Sequence, residues 1–287
     1  MRKSRVVIWI VIATILLWTL IPLYWYGKFA FQTKEEISSF PPRFYPENLS
    51  FEGFFNAIGF PYTDTSGRFY PPSGQGVQVF RGLINSFILA CAVTVITIII
   101  VVPLAYVFGR LQFRFKNALL FTILFSVTLP PVTVIIPFFI IFNKLGLFGT
   151  LRGLTIITLT ITIPFVTWMM LGFFRNLPNV ESLASIDGFS RFGTFIRIVV
   201  PMAKAGIAVG AIITFLFSWN EYTFAQILVN GTSATTLPAS ISGFLFQQPE
   251  PQYLAVAIIY SLIPAFISIY LLQRYITKMN IVDVIGG

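Results

Sequence analysis

Apolar residues along this chain gather into six long runs set apart by polar segments. The runs cover residues 6–27, 83–108, 118–142, 154–174, 205–224 and 253–272. Each is long enough to cross the hydrocarbon core of a bilayer as a helix, which takes about 20 residues. The pattern predicts an all-α polytopic membrane protein with six transmembrane helices. The first run follows Arg2, Lys3 and Arg5, much as a signal peptide begins. It is too long for a signal core, and no small-x-small cleavage site follows, so it reads as a retained signal anchor over residues 1–27.

Composition fits this class. Charged residues are 10% of the chain and hydrophobic residues 56%, with mean hydropathy +0.83, whereas a soluble domain carries about 25% charge. Six spans put both termini on one side of the membrane. Lys and Arg are roughly three times as dense in 1–5, 109–117, 175–204 and 273–287 as in 28–82, 143–153 and 225–252, so the positive-inside rule places both termini in the cytoplasm. The net charge of +9 is then an orientation signal and an affinity for anionic lipid head groups, with no call for nucleic acid.

Residues 28–82 fall outside in this scheme. They mix Pro41-Pro42, Pro46, Pro61 and Pro71-Pro72 with Phe44, Tyr45, Phe54, Tyr62 and Tyr70, a composition expected of a folded extracellular loop. The chain thus reads as an anchor (1–27), a loop (28–82) and a core transmembrane domain (83–287), with a cytoplasmic loop at 175–204.

Chemistry is scarce. There is no histidine, and Cys91 is the single cysteine, which excludes internal disulfides, a cysteine metal site and imidazole catalysis. No catalytic or metal-binding set is expected. The only acidic residue near a span is Glu221, at its outer end, whereas ion-coupled carriers place carboxylates near the midplane. The only Gly-Lys pair, Gly27-Lys28, is followed by Phe29, so the chain has no phosphate-binding loop. Any ATP chemistry must reside on another subunit.

Two places in the spans carry possible pathway residues. Pro130 and Pro131 interrupt the third run, and proline removes a helical N–H. This predicts a broken, movable helix lining a path, or reflects only the higher frequency of proline in membrane helices. Trp219-Asn220-Glu221 offers a ring face and hydroxyl partners suited to a sugar. The alternative is an interfacial aromatic belt with a Glu–Asn hydrogen bond at the helix end.

The segment 176–204 is the most distinctive. Residues 180–186 suit a short helix, Gly188 a break, and Phe192, Phe195, Ile196 and Val199 form an apolar stripe that Pro201 is expected to end. On physics alone this segment either docks on another protein or lies in the lipid interface.

Asp187-Gly188, then nine residues, then Ile198-x-Val200-Pro201 resembles the signature loop of ABC-importer permeases of the carbohydrate type. Further matches are Asn85-Ser86, Ala105-Tyr106-x-Phe108-x-Arg110, Pro130-x(6)-Pro137, Lys144-Leu145-Gly146-Leu147, Pro164-Phe165-x-x-Trp168, Trp219-Asn220-Glu221-Tyr222 and Thr236-Leu237-Pro238. In this order they look like the second permease subunit of a maltose/trehalose-type importer in a prokaryotic cell membrane. The resemblance implies a non-enzymatic subunit that pairs with a second permease, two ATP-binding subunits holding ATP and Mg, and an extracellular sugar-binding protein. It also implies that the loop, through Glu181, Ser182, Ala184, Asp187, Gly188, Ile198 and Pro201, couples to the ATP-binding subunit.

Two departures stand out. The family's glutamate position is Ser182, with Leu183 and Ala184 at the alanine positions and Glu181 just before. The ion pair expected with the ATPase is therefore lost or taken up by Glu181. The tail 278–287 lacks the usual Gly-Ala-x-Lys-Gly ending, which puts a tail contact with the ATPase in doubt. A reading from another class is a stand-alone channel or facilitator with an interfacial helix.

Overall fold

A computed structural model describes residues 2–128, 130–247 and 249–276. The chain divides into two compact units. One comprises the residues up to Arg81 together with Ser240–Leu262; the other comprises Gly82–Ala239 and the chain from Ile263 onward.

The first unit opens with α1 (Arg2–Phe31), whose apolar side chains stay almost entirely exposed; Trp18 is 83% exposed. Such a surface suits lipid. Two short helices follow, α2 (Lys34–Ile37) and α3 (Glu52–Asn56). Thr33 caps α2 by accepting the Glu36 N–H through Oγ1 at 3.3 Å. β1 (Tyr62–Thr63) pairs antiparallel with β2 (Phe69–Tyr70). Asp64 closes that hairpin, its Oδ1 accepting the N–H groups of Ser66 and Arg68 at 2.9 and 2.8 Å. Helix α4 (Gly76–Arg110) then begins before its apolar run, because Gly76 lets the backbone reach the 56–59 turn. A Cβ at Gly76 would lie 2.4 Å from Gly59 N.

The unit is completed by part of α13 (Leu237–Ile241), by α14 (Gly243–Phe246), and by the first half of α15 (Pro251–Ile276). Gln252 Nε2 donates to Gln32 O at 2.9 Å, Tyr253 O–H to Glu52 Oε1 at 2.9 Å and Tyr260 O–H to Phe54 O at 2.7 Å. These bonds tie Gln32, Glu52 and Phe54 to the 252–260 stretch of α15.

In the second unit α4 is followed by α5 (Lys116–Phe125), α6 (Pro131–Lys144) and α7 (Leu151–Arg175). Then come α8 (Glu181–Ile186), α9 (Arg191–Thr194), α10 (Val200–Met202), α11 (Lys204–Trp219) and α12 (Thr223–Leu228).

Helices α4 and α7 each bury residues at a strict spacing of four. On α4 these are Leu89, Val93, Thr97, Val101 and Ala105; on α7 they are Leu154, Thr158, Thr162, Val166, Met170 and Phe174. At 3.6 residues per turn that spacing drifts by about 40° a step, so each stripe winds slowly around its helix and meets different neighbours at its two ends. Two apolar clusters result. One gathers Leu89, Val93, Leu154, Ile157 and Phe224; the other gathers Val101, Ala105, Val166, Met170 and Val199. Between them the hydroxyls of Thr97 and Thr162 share a hydrogen bond of 3.0 Å.

Helix α11 packs on α7 through small residues at the same spacing: Gly206, Gly210, Thr214 and Ser218 are all buried. In a membrane, where lipid is as apolar as leucine, such close backbone approach is the usual source of helix association.

Among the described residues five helices are long and apolar enough to span a membrane. The expected third span is not one helix. Residues 116–128 and 132–144 form two pieces bent by 94°, and they make a sixth span only if counted together. The expected fifth span is among the five, as Lys204–Leu228, with a short non-helical step at 220–222 between α11 and α12.

Candidate functional site

The 175–204 segment is built on Arg110, the last residue of α4. Its Nε donates to Glu181 Oε1 at 2.8 Å and its Nη2 to Glu181 Oε2 at 2.6 Å. Nη1 donates to Leu177 O and Nη2 to Pro178 O, both at 2.7 Å. One guanidinium thus satisfies a carboxylate and the carbonyls of the chain leaving α7. The pair is well shielded, with 11% of the Arg110 side chain and 26% of the Glu181 side chain exposed. Hydrogen bonding from Arg110 holds the Glu181 carboxyl below the usual carboxylate range, outweighing burial, which pushes the other way.

Helix α8 ends in a left-handed residue. Gly188 has φ +80°, its N–H donates to Ser185 O at 3.2 Å, and Phe189 N–H reaches Ala184 O at 2.9 Å. This is the Schellman closure, and it requires glycine for its backbone angle. Ser190 then caps α9, its Oγ accepting the Gly193 N–H at 3.1 Å.

Pro201 does not end the segment as the sequence reading expects. A wide π turn at Phe195–Val199 precedes it, closed by Val200 N–H on Phe195 O, and the helix continues through α10. Proline lacks the N–H that would have served Arg197 O, and the wide turn relieves the clash.

The apolar stripe divides in two. Val199 is buried and Phe195 packs against Tyr106 with ring centroids 4.9 Å apart, whereas Phe192 and Ile196 face outward. Leu183 and Ile186 of α8 also face outward, Ile186 at 81% exposure. Ala184 is buried, Ile198 is half-buried, and Ser182, Asp187, Gly188 and Pro201 are exposed. Short, closed helices therefore present bulky apolar side chains from a rigid base.

Residues 101–279 match the family of binding-protein-dependent transport system inner membrane components. The chain belongs to that family.

Among its relatives is a putative ABC transporter permease protein of Streptomyces antibioticus, 32% identical over 68% of this chain and 86% of that protein. Another is the trehalose transport system permease protein SugB of Mycobacterium tuberculosis, 32% identical over 69% of this chain and 76% of its own length. A diacetylchitobiose uptake system permease of Streptomyces coelicolor is 27% identical over 92% of this chain and 84% of its own. The fold is shared with a chain of a bacterial ABC transporter that imports alginate, with TM-score 0.76 over 96% of both chains at 19% identity. The protein is thus a multi-pass inner-membrane permease component.

Within this permease the other candidate residues fall in two places. Pro130 caps α6 in an extended conformation (φ −60°, ψ 129°) at the 94° bend, where Thr133 Oγ1 donates back to Pro130 O at 2.7 Å. Pro131 opens α6. Two consecutive residues without an N–H leave carbonyls of the previous turn unserved, so the helix breaks there.

Trp219 is buried and stacks on Phe215 with planes 8° apart. The Glu–Asn hydrogen bond expected at the helix end is replaced by two bonds to backbone. Asn220 Nδ2 donates to Leu216 O at 2.8 Å, and Glu221 Oε1 accepts the Phe224 N–H at 2.7 Å, capping α12. The Glu221 carboxylate lies at the helix break, buried, with a structural task.

Sequence reasoning gave Arg110 no role of its own. In the sequence it is one more basic residue just past the end of an apolar run; the only other signal is its place in Ala105-Tyr106-x-Phe108-x-Arg110. Glu181, a candidate for the ion pair with the ATPase, has its carboxylate engaged within its own chain. The tail 278–287 lies outside the described residues.

Proposed function

We propose that this permease serves an ATP-driven carbohydrate importer, as one of two permease chains that together enclose the path. Both termini and the 175–204 loop face the cytoplasm in this reading, and residues 28–82 face outward. Two ATP-binding subunits carry ATP and Mg, and an extracellular sugar-binding protein delivers the substrate. Trehalose and diacetylchitobiose permeases among the relatives support the carbohydrate class.

The observation that carries the coupling role is the pair of short, closed helices with Leu183, Ile186, Phe192 and Ile196 turned outward. A rigid element with an apolar face fits a cleft on another protein and transmits displacement without melting. With Glu181 held by Arg110, contact with the ATPase rests on these apolar side chains and on exposed Ser182 and Asp187. Pro130-Pro131 would act as the hinge of the path, while Trp219, Asn220 and Glu221 shape the span end beside it.

The test is reconstitution in vesicles with the partner subunits and a binding protein. Sugar uptake should require ATP, and Gly188→Val should depress uptake together with stimulated ATPase activity. Uptake by this chain alone without ATP would refute the assignment.

A further inference from the structure

Helix α1 is longer than a bilayer needs. Its apolar stretch, Val7–Phe31, is 25 residues long, about 37 Å at 1.5 Å per residue, against a hydrocarbon core of about 30 Å. The basic run Arg2, Lys3 and Arg5 keeps its first end out of the hydrocarbon. The core is then crossed by about Gly27, and Tyr24, Trp25 and Tyr26 reach the level of the opposite head groups, where amphipathic rings are enriched.

Residues 40–49 pack on α1 at that level. The Phe44 ring meets Trp25 edge-on with centroids 5.8 Å apart, and the Tyr24 O–H donates to Phe44 O. Lys28 Nζ donates to Arg43 O while lying 3.5 Å from the centre of the Trp25 ring. Pro41, Pro42 and Pro46 have no N–H to satisfy, and the Asn48 N–H is taken by Glu36 Oε1 at 3.0 Å. The two charges of the segment, Arg43 and Glu47, pair with each other. Missing donors, engaged carbonyls and a neutral charge set all lower the cost of leaving water.

The side chains turned outward are apolar: Phe40 is 95% exposed, Phe44 67%, Tyr45 68% and Leu49 67%. Beside Leu49 a groove of about 320 Å³ runs between the segment and α1, lined by Tyr24, Gly27, Lys28, Phe31, Pro46 and Leu49. The polar tips of Tyr24 and Lys28 are spent on Phe44 O and Arg43 O, so the groove offers hydrocarbon. This surface continues the exposed apolar side chains of α1, among them Leu20, Ile21 and Leu23. We propose that residues 40–49 are a lipid anchor in the head-group layer at the end of α1, with Phe40, Phe44, Tyr45 and Leu49 among the first acyl carbons and a phospholipid chain in the groove. The anchor requires only that α1 cross the membrane, on whichever side it ends. It sets the depth of α1, and its neutral surface takes zwitterionic and anionic phospholipid alike.

The experiment is site-directed spin labelling of the intact transporter complex in phosphatidylcholine nanodiscs, with the other cysteines replaced. Labels go at Phe40→Cys, at Leu49→Cys, which lines the groove, and at Thr65→Cys, an exposed position between β1 and β2. Power saturation compares collisions with oxygen, which concentrates in lipid, and with a water-soluble nickel chelate. The oxygen-to-nickel ratio at 40 and 49 should exceed that at 65 severalfold, and adding phosphatidylglycerol should leave it unchanged. Ratios equal to that at 65 would place the segment in water. Low collision rates with both reagents would place it beneath another protein chain. Either result overturns the anchor.

Discussion

Arg110 and Glu181, 71 positions apart in the chain, are joined by two parallel hydrogen bonds of 2.8 and 2.6 Å. This pair fastens the start of α8 to the end of α4, and the Tyr106–Phe195 ring contact fastens the π turn to the same helix one turn earlier. The 175–204 loop and the C-terminal end of α4 are therefore fastened together at two points. In the proposed coupling role, a push on the loop would pass to a helix that is 35 residues long.

Removing the fork should loosen that attachment. Arg110→Ala leaves a shielded carboxylate and two carbonyls without donors, a loss of about 1.5–3 kcal/mol for hydrogen bonds to a charged group. Arg110→Lys keeps the charge but cannot serve both oxygens and both carbonyls in one plane. Both variants should raise the ratio of ATP hydrolysed to sugar transported, the lysine variant less. Equal coupling ratios in wild type and Arg110→Ala would show that the pair has no part in transmission.

The same pair sets a pH dependence. Because the folded-state pKa of Glu181 is depressed, its contribution to stability is fully present above the unfolded carboxylate value of about 4.3. It is lost as pH falls through the lower, folded value. The melting temperature of wild type should exceed that of Glu181→Gln at pH 7, and the gap should shrink as the solution is acidified below pH 4. A gap that widens on acidification would contradict this.

Two neighbouring glycines should respond differently to the same change. A Cβ on Gly206 would lie 2.8 Å from Phe173 Cγ, whereas one on Gly210 would lie 3.2 Å from Met170 Sδ. An aromatic ring cannot yield as a thioether does, so Gly206→Ala should cost about 1–3 kcal/mol by overpacking. At Gly210 the gain in helix propensity, up to about 1 kcal/mol, offsets a small adjustment of methionine. Thermal unfolding of the purified permease complex distinguishes the two variants.

Glu221 should behave as a cap. Glu221→Gln retains an acceptor for Phe224 N–H and should melt near wild type, while Glu221→Ala should lose about 1 kcal/mol. Neither should alter the KM for transported sugar. A KM raised severalfold in Glu221→Gln, at unchanged stability, would instead place the carboxylate in the substrate path.

The loop shows both how far sequence reasoning reaches and where it stops. Gly188 was legible because a left-handed helix closure is a local demand that few residues meet, and the short helix before it follows from local pattern. The break at Pro130-Pro131 is equally local, since two missing N–H groups disrupt a helix wherever it lies. Pro201 misled because its effect depends on the turn before it, and a π turn can absorb what an α turn cannot.

Apolar run length, the positions of proline and glycine, and the scarcity of charge are properties of single segments, and they determined the helical membrane class and the short helix and break of the 175–204 loop. The spacing of four on α4, α7 and α11 was present in the sequence, but which stripes meet was decided only by packing. The partner of Glu181 was also a tertiary matter, because a 71-residue separation carries no local signal. So was the inward or outward sorting of Phe192, Phe195, Ile196 and Val199. A stripe shows that one face is apolar, and only the fold decides which of its members are covered.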